Sequence, residues 1–213
     1  MTIVIDTDLR EKLGDARDQR QRPTCLVFAA SAAHEASRTT SDYLSAEFLF
    51  YSGAQRSHND PARGLTEAAL AEALQHDGQW DEAAWPYLLE TPETKNWKPP
   101  AFATSAHRAV LEFSPRTTTQ VRKVLNAGKP VLLVLALTLA MYAPDEHGVV
   151  RARTTDTVTT RRHAVLAVGS GHADDGEYIL IRNSWGPGWG QSGHGWLQTT
   201  YLTPQLQTTG VIS

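Results

Sequence analysis

Cys25 is the chain's only cysteine, so it can enter neither an intramolecular disulfide nor a thiolate-based zinc site. Two uses remain for it: a small buried hydrophobe, or a nucleophile. A nucleophilic thiol needs surroundings that favour the thiolate, a base to move protons, and a group that orients the base. Residues 25–33, CLVFAASAA, carry no charge, and Thr24 just before them suits an N-cap, which places Cys25 in the first turn of a helix. Free backbone N–H groups and the helix dipole favour negative sulfur there. His163 stands 138 residues later, at the head of the apolar run HAVLAVG, and Asn183 ends the run EYILIRN just before SWGPGWG. Together they supply a nucleophile, a base and a neutral orienting carboxamide, the parts of acyl transfer. Read one at a time they are plainer: a core-edge histidine and a turn asparagine.

The elements that must position these residues change character along the chain. The first half reads as helical. After residues 25–33 come a helix following Ser45 (AEFLFYSG, stopping near Gly53) and one from about Thr66 (EAALAEALQ) to Gly78, whose place suits a left-handed C-cap. A further helix spans residues 118–127 and is closed by Gly128. From residue 131 the pattern turns to strands: the buried run 131–140, then GVVRARTT, HAVLAVG, EYILIRN and HGWLQ, with Asp175-Gly176 as a hairpin signal. Helices followed by strands predict an α+β fold. The expected division is one domain over 1–213, with a helical lobe at about 15–105, a β lobe at about 106–213 and a cleft between them.

Composition narrows the function classes. The 213 residues are 41% hydrophobic and 20% charged, with a formal net charge of −3, so no basic excess points to nucleic acid. The longest apolar run covers residues 131–141, well short of the roughly 20 residues that span a bilayer. The N-terminal MTIVIDTDLREKLGDARDQ meets charge too early for a secretory signal or an anchor. The expectation is a protein that binds neither nucleic acid nor membrane, with a cytoplasmic setting suggested by the lone cysteine.

Three blocks, DQRQRPTCLVFAA, RHAVLAVGSG and YILIRNSWGPGWG, resemble the papain family of cysteine peptidases in content, order and spacing. The resemblance runs from about Asp6 to Trp196 and is most specific in NSWGPGWG. It implies a papain-like two-lobed fold, a helical N-terminal lobe packed on an antiparallel, barrel-like β lobe. It assigns Cys25 as nucleophile, His163 as general base and then acid, Asn183 as the holder of the His163 ring, and Trp185 as the shield of that bond. Gln19 takes the place of the oxyanion-hole amide, acting with the Cys25 N–H. Gly64, Leu65, Thr66, Val134, Ala164, Arg161 and Trp189 fall at substrate-binding positions. No metal or organic cofactor is implied. The partner is a peptide or protein substrate, with a regulatory partner protein as a further expectation, since no inhibitory prosegment is visible ahead of the match.

Departures from the family pattern cluster at the nucleophile. Arg20 and Pro23 stand where glycine is usual, Leu26 where tryptophan is usual, a second cysteine is missing, and Arg63 replaces the glycine beside Gly64. A side chain at a position that needs positive φ would strain or remodel the loop. Arg20, Arg22, Arg161 and Arg162 suggest a cationic rim that favours acidic substrate residues, or arginines that point to solvent or pair with Asp15 and Asp18. The reading is therefore an endopeptidase acting on a restricted set of proteins. Beside it stand a catalytically impaired peptide-binding module and a dedicated processing protease or transpeptidase.

Overall fold

The computed structural model describes residues 2–38, 42–101, 105–152 and 158–213. In chain order the elements are β1 (Val4–Asp8), α1 (Cys25–Ser37), α2 (Ala46–Gln55), α3 (Glu67–His76), β2 (Leu111–Ser114), α4 (Thr118–Asn126) and β3 (Val131–Thr138). They continue with β4 (Val149–Val150), β5 (Val158–Ala173), β6 (Gly176–Arg182), β7 (His194–Gln198), α5 (Thr199–Gln205) and β8 (Leu206–Ile212). The expected α+β class is what forms.

The strands make one sheet in the order β2-β8-β3-β5-β6-β7-β4, with β1 added along β5. It is open rather than barrel-like, because short β2 and β4 end it and nothing joins them. Nor is it wholly antiparallel: β4 runs parallel to β7, pairing Val149 with Trp196. Part of GVVRARTT lies outside the described residues, and in the described part Val149–Val150 is strand. β1, β2 and β8 carry no sequence signal strong enough to predict them, since each is held by a distant partner strand rather than by a local turn. The β5–β6 hairpin forms as expected, although Gly176 pairs with Ala173 and is the first strand residue rather than part of the turn.

The sheet is covered on both faces, which explains why residues 131–137 are continuously apolar instead of alternating. Leu132, Val134, Ala164, Leu166 and Leu180 meet the α1–α2–α3 side. Leu133, Leu135, Val165, Ala167 and Ile181 meet Val121 and Leu125 of α4 and Tyr201 and Leu202 of α5. Helix α1 lies between α2 and β5, with every residue from Leu26 to Ala36 buried. Its alanines keep it thin enough to be enclosed on all sides. At its two ends Cys25, in the first turn, is left partly open and Ser37 is exposed. Ser45 caps α2 by accepting from Phe48 N at 3.0 Å, and Gly78 (φ 76°) ends α3 by donating to Ala73 O at 2.9 Å.

Candidate active site

A cleft of about 840 Å³ runs between α1 and the start of α3 on one side and β3 and β5 on the other. Cys25, Gln19, His163 and Trp185 all line it. Each reaches the cleft by a different local device.

Thr24 does sit at the N-cap of α1, but its hydroxyl makes no cap bond. It pairs instead with the Tyr87 hydroxyl at 2.8 Å, which itself donates to Gln19 O at 2.8 Å. The loop before Cys25 is thus tied down from the side. Gln19 N donates to Ser184 O at 2.9 Å, stitching the loop to the segment just after Asn183. The Gln19 side chain is buried and directed by two bonds: its Oε1 accepts from Ser184 Oγ at 2.6 Å and its Nε2 donates to Arg22 O at 2.8 Å. The second Nε2 hydrogen is not used by these bonds.

Arg20 adopts φ 55°, the left-handed conformation that glycine would take without cost. Asp18 supports it by accepting from Arg20 N at 2.7 Å and lying 3.5 Å from its Nε. The loop is therefore kept in shape by an acid two residues upstream rather than by glycine. Pro23 is not strained, and its carbonyl approaches Gly64 so closely that an added Cβ there would sit 3.2 Å from it. Arg22 does not belong to a cationic rim. It is 1% exposed, donates two bonds to Glu47, donates to Leu88 O at 2.7 Å and stacks on Tyr87 at 4.8 Å. A guanidinium so deeply placed needs a carboxylate, and Glu47 is further held by Trp97 Nε1 at 2.7 Å and Leu88 N at 3.0 Å.

His163 lies in β5, opposite Leu135 of β3, and is 4% exposed. Its Nε2 is 2.8 Å from Asn183 Oδ1. That oxygen also accepts from Ser184 N at 2.8 Å, which fixes the orientation of the amide. Nε2 must then be the protonated nitrogen, leaving the Nδ1 lone pair free. Trp185 covers the ring, stacked at 4.6 Å, and Tyr142 stacks on the outer face of Trp185 at 5.0 Å. Asn183 Nδ2 has no partner among the described residues. Asn183 borders an internal cavity of about 20 Å³ shared with Arg17, Glu35 and Arg182, roomy enough for one water. Burial pushes Glu35 up to about 7, against the Leu44 N–H and the Arg17 charge.

Burial weighs against charge on both Cys25 and His163. Burial pushes the Cys25 thiol up, opposed by the backbone N–H groups of Ala164, Leu26 and Cys25 itself and by the Arg162 charge. Burial pushes His163 down to about 4, opposed by Asn183. The helix start alone does not hold the sulfur as a thiolate.

Of the expected substrate-binding residues, Gly64, Leu65, Val134, Ala164 and Arg161 line the cleft. Thr66 and Trp189 do not. The Thr66 hydroxyl caps α3, accepting from Ala69 N at 3.2 Å. Trp189 is buried edge-on against Trp185 and donates from Nε1 to Met141 O at 2.9 Å, so it props the shield from behind. Glu67, Leu137 and Tyr142 line the cleft without having been singled out in the sequence. Glu67 reads there as an ordinary first-turn helix acid, and Leu137 as one more apolar strand residue. No group of three or more His, Cys, Asp or Glu side chains among the described residues could hold a metal, and no helix among them is long and apolar enough to cross a membrane.

Known proteins share the fold and much of the sequence pattern. Cysteine proteinase 3 of Entamoeba histolytica is 26% identical over 192 residues, 88% of this chain and 60% of its own length. The chain thus spans less than two thirds of that curated relative. Among solved structures, xylellain, a cysteine protease from Xylella fastidiosa, superposes with a TM-score of 0.78 at 20% identity, covering 100% of this chain and 87% of its own. A Carica candamarcensis cysteine protease solved in complex with E-64 gives 0.71 at 23% identity, covering 97% and 96%. The family model described as papain family cysteine protease matches residues 4–209, and the chain belongs to that family.

Proposed function

We propose that the protein is a cysteine endopeptidase that cuts peptide bonds through a Cys25–His163–Asn183 acyl-enzyme cycle, with 1–213 working as one peptidase domain. The observation that carries this reading is the double use of Asn183 Oδ1, by Ser184 N and by His163 Nε2. It leaves Nδ1 as the imidazole nitrogen able to take the thiol proton.

In the first step His163 Nδ1 takes the Cys25 proton as the sulfur adds to the substrate carbonyl. The proton moves as the S–C bond forms, because burial favours neither charge by itself. Negative charge collects on the carbonyl oxygen, where the free Nε2 hydrogen of Gln19 and the Cys25 N–H stabilise it; one such donor is worth about 3 kcal/mol of barrier. The C–N bond breaks as His163 returns the proton to the leaving amine. Water, deprotonated by His163, then attacks the thioester, releasing the acid and restoring the thiol. Asn183 holds the ring through both proton transfers, and Trp185 keeps water from its bond. The charged lining of the cleft supports a restricted set of protein substrates, encountered in the cytoplasm.

The impaired-binder reading draws on the burial that weighs against charge on both Cys25 and His163. Labelling separates the two. An epoxysuccinyl inhibitor such as E-64 should modify Cys25 in the purified protein and fail on Cys25→Ala and His163→Ala. An unmodified wild-type thiol under reducing conditions overturns the peptidase reading and leaves the binding module.

A further inference from the structure

The cleft is bridged by its own side chains. Glu67 opens α3 on the helical side and Arg162 sits in β5 next to His163, and the two carboxylate and guanidinium groups form an ion pair. The side chains stay partly wet, at 50% exposure for Arg162 and 24% for Glu67, and both residues line the cleft that holds Cys25. We propose that this pair is a clasp across the substrate path, opened by peptides whose acidic side chain takes Arg162 away from Glu67. The proposal rests on the peptidase reading for its substrates and on the geometry alone for its charge selection.

Three observations favour an acidic occupant over a basic one. Arg161, beside Arg162, also lines the cleft, and its side chain has no ion-pair partner among the described residues. Strand alternation would send neighbouring residues to opposite faces, but the pairing of β3 with β5 slips between Ala136 and Thr138, so both arginines reach the cleft. The other cationic side chains of the cleft are already matched, Arg20 by Asp18 and Arg22 by Glu47. An entering carboxylate therefore meets two guanidinium groups once Glu67 is displaced. An entering ammonium would have to take Glu67 while facing Arg161 and a released Arg162. A partly hydrated pair of this kind is weakly held and readily exchanged. Arg162 is also near enough to Cys25 for its charge to favour the thiolate.

Because Cys25 is the only cysteine, the clasp can be tested by alkylation without any peptide. Iodoacetate and iodoacetamide differ in one negative charge and deliver nearly the same group to sulfur. The ratio of their rates at a given pH cancels any change in thiol acidity and reports the local field. Glu67→Gln should raise the acetate-to-amide ratio and Arg162→Gln should lower it, each by about threefold for one charge at this range in moderate salt. A peptide library cut by the same proteins should show acidic enrichment near the scissile bond in wild type, sharper enrichment in Glu67→Gln and none in Arg162→Gln. Alkylation ratios that stay level in both variants, or move the same way in both, overturn the clasp even if peptides are cut. Opposite shifts in alkylation with no peptide cut by any protein support the clasp and overturn the endopeptidase reading instead.

Discussion

Two arginine–glutamate pairs serve the same cleft and are built for opposite ends. Arg22–Glu47 lies under the nucleophile loop with both side chains essentially sealed, 1% and 0% exposed, while Arg162–Glu67 lies across the opening at 50% and 24%. The sealed pair is braced by Leu88 and Trp97 and presents the Arg22 carbonyl that accepts from Gln19. It gives up its hydration once, on folding, and then cannot exchange partners. The open pair keeps much of its water and can trade its carboxylate for another. Burial, rather than partner identity, decides which pair is a fixture and which is a selector.

That contrast can be broken most forcefully at the sealed pair. Glu47→Ala leaves a guanidinium buried without its counter-charge, and chemical denaturation should show a loss of about 3–5 kcal/mol. Gln19→Ala, which removes the group the sealed pair positions, should lower kcat/KM about a hundredfold, the scale of one lost oxyanion donor. A milder effect comes from the buried titrating groups behind the cleft. His163 binds its proton more weakly folded, at about 4, than unfolded, so it makes stability rise with pH between about 4 and 6.5. Glu35, held at about 7, binds its proton more tightly folded, so it makes stability fall between about 4.5 and 7. The two slopes oppose each other from about 4.5 to 6.5. His34 and His194, also pushed down by burial, add to the rising slope, so stability read by urea unfolding should rise with pH in that window and rise more steeply in Glu35→Gln. The smallest effect is expected at the open pair, where Glu67→Gln should cost at most about 1 kcal/mol in the same denaturation assay. A loss there as large as at Glu47 would erase the distinction.

Legibility in the sequence follows the same division between local and distant causes. The NSWGPGWG block stands out because its backbone demands glycine: Gly186 has φ 76° and Gly190 φ 55°, and a Cβ on Gly190 would lie 2.2 Å from His194 O. Helix starts at Ser45 and Thr66 are legible because each side chain accepts from the backbone N–H three residues on. Arg22 reads in the sequence as a rim charge, a solvent-facing arginine or a partner of Asp15 or Asp18, because its actual partner, Glu47, comes 25 residues later with no signature that binds the two. The family resemblance puts Trp189 and Thr66 in the substrate path, whereas one props Trp185 and the other caps α3. Arg20 shows the reverse case, a correctly suspected left-handed site whose remedy, the Asp18 carboxylate, becomes visible only in three dimensions. The open edge strands β2 and β4 likewise depend on partners far along the chain.

The stack of Tyr142, Trp185 and His163 carries an optical consequence. Of the tryptophans, Trp185 is the one that shares a stacking face with an imidazole among the described residues, and a protonated imidazole in van der Waals contact with an indole quenches its emission. The molecule therefore contains its own lamp for the proton on His163, one that dims as the ring gains charge and brightens as it loses it, readable in a cuvette with no dye attached.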